Sequence, residues 1–280
     1  KDETYDPKIA EIGTQLGDLY NTVSSMGMIA HIYLERGDRT AWIILEQLDH
    51  VAEIYEYEYG RLAKYSHGSL YLYKFGEFKK ANTLADEGIT FMNRTLGNKP
   101  GLLMIYSMKI KALIQLERLT EAEESLKMAH DFSRQEKLAP FFHSFLLTAK
   151  LLFETRKLEE ALHAGDKTGA VHYRKSIRKS AKKAVKISGT AAYERVECYR
   201  LTGIYYWLLG KQARALRWWA KALREAERLG AKIEWALTLK EVSRRLPEAV
   251  SRYRTLKGES AAALNDRADL MFKEMEIQSR

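Results

Sequence analysis

A chain of 280 residues, 46% of them hydrophobic, can bury one sizeable core or a series of small stacked ones. Its net charge of +9 comes from charged residues of both signs, 30% of the chain, which read mostly as solvated helix faces. Only 4 prolines interrupt it, no useful period-two run of β-branched residues occurs, and no stretch of eighteen apolar residues exists. A sheet protein and a membrane-spanning helix are therefore excluded, and mostly helix is expected. Cys198 is the one cysteine, so there is no internal disulfide, which suits a reducing, cytoplasmic setting. The start, Lys1-Asp2-Glu3-Thr4-Tyr5, lacks both Met and an apolar core; it is no signal peptide and reads as a piece of a longer protein.

Helical turns recur along the chain. Glu35 to Ala41 is a turn leading into a helix whose Trp42, Leu45 and Leu48 are bulky. Glu53 to Gly60 sets Tyr55 and Tyr59 on one helical face with Tyr57 opposite; Tyr65, Tyr71 and Tyr73 follow, as core or as groove lining. Phe75 to Ala81 continues to Ala85 and Gly88, spaced four and then three. Leu119 to Ala122 continues to Leu126 and Ala129, and Lys157 to Ala161 begins one more such segment. These anchors recur about every 40 residues. The next interval, from Ala161 to Ala215, is longer by about fourteen, which predicts an insertion near 163–175 in the fifth repeat, with an exposed turn over 163–170.

The sharpest segment follows. Tyr199 to Gly210 reads as one helix, with the small Gly203 where a neighbour must come close. The next helix presents Ala215, Trp219 and Ala222 on one face. This small–aromatic–small stripe resembles the tetratricopeptide repeat superfamily. A single hairpin cannot bury its apolar face, so such hairpins stack. The expected core includes Leu72, Leu84, Leu103, Ile110, Leu113, Leu126, Phe145, Leu152, Tyr206, Leu216 and Trp219. After the helix from Trp235 to Leu246, Pro247 ends the pattern, and the polar segment 247–280 reads as a cap. The expected fold is all-α: a right-handed α-solenoid of about six or seven antiparallel helical hairpins, a single repeat domain over 1–280.

No catalytic constellation stands out. Gly165-Asp166-Lys167-Thr168 looks like the tail of a phosphate loop, but no glycine or strand precedes it and Asp166 splits Gly from Lys, so a surface turn is expected. The seven histidines show no His-x-x-x-His or Cys/His spacing, so neither a metal site nor a cofactor is expected. Cys198 reads as a small core thiol. From Lys167 to Lys186 the chain holds Arg174, Lys175, Arg178, Lys179, Lys182 and Lys183 with no acid among them. With Ile177, Ala181 and Ala184 at helical spacing, this is an amphipathic basic helix.

The long repeats, and the passage Ala222 to Ala236 with Leu229-Gly230 at a helix junction, resemble the sensor regions of large bacterial signal-transduction ATPases and cyclase-linked regulators. That resemblance implies a non-catalytic protein- or peptide-binding scaffold within a larger signalling protein, its partner another protein or a neighbouring domain. It also implies a concave groove lined by first helices. The inward candidates are Tyr73, Lys111, Glu197, Arg200, Ile204 and Trp207, with His31, Ser66 and Ser107 at equivalent places. The alternative reading is a nucleic-acid-associated regulator that touches phosphates through the basic helix 167–186.

Overall fold

The computed structural model describes residue 6 and residues 8–94, 99–136 and 138–277. Residues 1–5, and 278–280 of the expected cap, lie outside the described residues. The described chain is helical apart from one two-stranded hairpin, β1 (Thr255–Leu256) with β2 (Glu259–Ser260). Helix α1 (Lys8–Gln15) precedes six helical pairs. These are α2 (Leu19–Glu35) with α3 (Thr40–Ile54), α4 (Glu58–Lys74) with α5 (Phe78–Arg94), and α6 (Lys99–Gln115) with α7 (Leu119–Gln135). They continue as α8 (Pro140–His163) with α9 (Lys167–Ser188), α10 (Arg195–Leu208) with α11 (Gln212–Leu229), and α12 (Lys232–Arg245) with α13 (Ala261–Glu274).

The first five pairs share one turn. A residue with positive φ follows the first helix: Gly37, Gly76, Glu117, Gly165 or Gly210. The next N–H reaches back to a carbonyl five residues earlier: Asp38 to Tyr33 at 2.9 Å, Glu77 to Leu72 at 2.8 Å, Arg118 to Leu113 at 2.9 Å, Asp166 to Ala161 at 2.8 Å, Lys211 to Tyr206 at 2.9 Å. This left-handed cap satisfies carbonyls that a helix end would leave open and folds the second helix back on the first.

Small residues then set the approach. Ala81 and Ala85, Ala122 and Ala129, and Ala215 and Ala222 are fully buried on second helices. A Cβ on Gly203 would come within 2.3 Å of Trp219 Nε1, so the indole packs onto bare backbone. That same indole N–H donates to the Arg200 carbonyl at 3.1 Å. Of the expected core, Leu103, Ile110, Leu113, Leu126, Phe145 and Trp219 are buried; Leu72, Leu84, Leu152, Tyr206 and Leu216 are partly so.

Three expectations change. Tyr55 and Tyr59 share no helical face, because α3 ends at Ile54 and α4 begins at Glu58, so 55–57 is a turn. Ala161 lies near the end of α8, a first helix, and does not begin a second one. The additional residues around 163–175 form no inserted loop: α8 and α9 are simply longer, and Ala164 to Asp166 is the common three-residue turn. Counting from a small residue on the wrong helix of the pair produced the apparent insertion. Near the end, α13 buries Leu264, Ala268 and Phe272 against α12.

First helices α2, α4, α6, α8, α10 and α12 each pack on the next, and α12 also touches α2. At this seam Arg39 Nε lies 3.0 Å from a Glu276 carboxylate oxygen, and Met275 sits against Gly37. The array therefore closes on itself, with the first helices inside and their partners outside.

Candidate functional site

Each inner helix sends a polar side chain into the middle of this closed array. Lys74 ends α4; its ammonium donates to Glu234 on α12 at 2.7 Å and lies 3.4 Å from Glu35 on α2. Lys111 on α6 donates to Glu194 at 2.8 Å and to Glu197 at 2.7 Å. The Thr148 hydroxyl on α8 donates to Glu194 as well. Arg200 on α10 donates to Glu234 through two nitrogens, at 3.2 and 3.1 Å. Glu194, Glu197 and Arg200 are spaced by threes, which puts them on one side of α10.

Burial makes this network consequential. Lys74 is 1% and Lys111 0% exposed. Burial disfavours both ammonium groups, yet the facing carboxylates outweigh it and hold each above the usual lysine range. Burial also pushes the Glu234 carboxyl up, but Lys74 and Arg200 override it and pull it down to about 2. Glu194 goes the other way: burial, with Glu197 beside it, beats Lys111 and raises it. The network holds Glu35, Glu194, Glu197 and Glu234 against Lys74, Lys111 and Arg200, with His31 Nε2 3.7 Å from Glu35.

Above the network, at the C-terminal ends of the inner helices, lies a cavity of about 720 Å³. Tyr73, Ile204 and Trp207 form its nearly buried floor beside Arg200. Arg156 and Arg244, 43% and 62% exposed, stand on the rim. Arg245 is held between Glu159 and Glu241. The rim is mixed in sign: Arg156 lies 3.5 Å from Glu117 and Arg244 2.9 Å from Glu241, and Glu248 also lines the cavity.

Of the six residues expected to face a groove, Tyr73, Arg200, Ile204 and Trp207 meet at this cavity. Lys111 and Glu197 do not reach it; they are locked in the ion network. His31, Ser66 and Ser107 are also buried. The concave side is filled because the inner helices pack on one another. Cys198 is buried, and burial pushes its thiol up to about 12, far from a nucleophile's range. Asp166, in the stretch resembling a phosphate loop, caps α9 by accepting from the Gly169 N–H at 3.0 Å. Arg174, Lys175, Arg178, Lys179, Lys182 and Lys183 are all exposed along α9, and none of them lines the cavity.

The sequence reading missed Lys74, Glu35, Glu194 and Glu234. Lys74 follows Leu70, Tyr71, Leu72 and Tyr73, so its apolar setting was the available signal. Among the described residues no cluster of His, Cys, Asp or Glu could hold a metal ion, and no helix is long and apolar enough to cross a membrane. Compared with known proteins, the chain matches no family model and no curated protein sequence.

Proposed function

We propose that the chain is a non-catalytic, tetratricopeptide-like right-handed helical array that binds a protein or peptide segment at the mouth of its inner ring, within a larger bacterial regulator. One observation carries the reading: Tyr73, Arg200, Ile204 and Trp207 converge from α4 and α10 on a single cavity. Its volume falls within the range that takes a small ligand or one or two peptide side chains. Its apolar floor suits an apolar side chain, and on its rim of mixed charge the guanidiniums of Arg156 and Arg244 are exposed enough to take an acidic group or a free carboxylate in exchange for the glutamates beside them.

The test is a selection of random peptides, free at the C-terminus, on the immobilised chain. Recovered peptides should carry an acidic group beside a hydrophobic one. They should lose at least about tenfold in affinity, ~1.4 kcal/mol, for Arg244→Glu and for Trp207→Ala. Arg244 is chosen over Arg200 because removing Arg200 would leave the buried Glu234 short of a partner. Recovered peptides that bind both variants as they bind the parent would place recognition elsewhere.

A further inference from the structure

The positive charge of this chain is not spread over it. Helix α9 carries Lys167, Arg174, Lys175, Arg178, Lys179, Lys182, Lys183 and Lys186 and no acid. Helix α11 carries Arg214, Arg217, Lys221, Arg224 and Arg228 against Glu225 and Glu227. These two helices alone hold more positive charge than the chain's net +9, so the rest of the molecule is slightly acidic. They are consecutive outer helices, both packed on α10.

Elsewhere, many surface cations sit beside an acid: Lys64 with Asp49, Lys109 with Asp86, Arg118 with Glu121, Lys240 with Asp269. Glu225, one of the two acids of α11, is already held by Arg195 and Arg228. Lys175, Lys179, Lys182 and Lys186 recur at four, three and four residues, one row about 16 Å long. Tyrosines of α10 join the two helices. Tyr205 donates to the Arg174 carbonyl at 3.2 Å, its ring lies 5.3 Å from that of Tyr206, and Arg214 stands over Tyr206 at 5.8 Å. The basic field extends the other way onto α7 and α8. Burial, then Lys150, Arg134 and Lys183, holds the His130 imidazole below its usual range; burial, then Lys183, does the same to His143.

We infer that the α9–α11 face binds the phosphate backbone of a nucleic-acid duplex without reading its sequence. Uncompensated cations at this density gain from displacing the counterions that a polyphosphate gathers. A protein partner fits less well, because interface centres are depleted in lysine and built on apolar anchors. The only large exposed hydrophobic side chain on either helix is Val171, at the end of α9. An anionic membrane meets the same lack of anything to insert. This site is separate from the proposed peptide cavity, which is lined by no residue of α9 or α11.

The experiment measures binding of the whole chain to a fluorescein-labelled mixed-sequence duplex of roughly 20 base pairs, at several salt concentrations. The parent should bind with a slope of log affinity on log salt of about −4 or steeper, since each phosphate neutralised contributes about −0.9. Lys179→Glu, Lys182→Glu and Lys183→Glu combined with Arg217→Glu and Arg224→Glu should lower affinity by at least about 30-fold near 0.1 M salt and flatten the slope. Glutamine at the same five positions should give an intermediate loss with unchanged helicity by circular dichroism. Arg244→Glu at the cavity should leave duplex binding as it is. A slope shallower than about −2 in the parent, or duplex binding indifferent to the five reversals, overturns the inference. So does tighter binding of a poly-glutamate peptide, or of phosphatidylserine vesicles, than of the duplex.

Discussion

The centre of the ring and the α9–α11 face use the same residue types in opposite ways. Inside, Lys74, Lys111 and Arg200 are stripped of water and each is held by carboxylates from other helices. Outside, Lys179, Lys182, Lys183 and Arg217 are exposed, and among the described residues no carboxylate pairs with them. The difference teaches where an ion pair matters. A buried cation that loses its partner leaves a charge stranded in a low-dielectric interior, whereas an exposed one is rehydrated at little cost.

The contrast can be broken at its strongest point. Lys111→Met strands Glu194 and Glu197 and should destabilise the fold by about 3–5 kcal/mol in urea unfolding. A loss below about 1 kcal/mol would mean that water already reaches the network. Two of the four acids facing the cations sharpen it next. Glu234 is held near 2, below its ordinary value, so its contribution is fully present above pH 4.5 and is lost as pH falls from there toward 2. That shift is worth about 3 kcal/mol, so Glu234→Gln should cost about that much at pH 7 and flatten the acid limb. Glu194 has the opposite sign: its carboxyl is raised, so stability is gained as pH falls through its folded value, and Glu194→Gln should cost under about 1 kcal/mol. Equal losses for the two would erase the distinction.

Packing gives a smaller effect. Gly203→Ala drives a methyl group into the Trp219 indole and should destabilise by about 1–3 kcal/mol; an unchanged thermal midpoint would mean that α10 and α11 can separate freely. The smallest effect belongs to the outer face. Reversing Lys179, Lys182 and Lys183 to Glu should move stability by less than about 0.5 kcal/mol, in either direction, by the same urea measurement.

Local features of this molecule were legible because they rest on neighbours in sequence. The stripe Ala215, Trp219, Ala222, the close approach at Gly203 and the turn around Gly37 follow from helical spacing and backbone freedom. Tyr73, Arg200, Ile204 and Trp207 came from the resemblance to a groove lined by first helices; the structure brings these four to one cavity, while Lys111 and Glu197, expected there on the same ground, are taken up by the ion network. The ion network was not legible. Lys74 and Glu234 lie 160 positions apart, and a lysine in isolation reads as a surface residue. Ala161 misled because a small buried residue marks a close crossing on either helix of a pair. The basic character of α11 was hidden by its core stripe: Arg214, Arg217, Lys221 and Arg224 interleave with the alanines that drew notice.

The seam at Arg39 and Glu276 changes how such an array comes apart. A linear stack of hairpins is close to one-dimensional, and its two ends fray independently because each unit leans on one neighbour. Here the first and last units lean on each other, and Lys74 ties α4 to both α2 and α12. Loosening either end exposes carboxylates and ammonium groups that belong to the other. Opening should thereby be linked around the whole circuit, and the six hairpins are expected to melt as one cooperative unit instead of peeling away in turn.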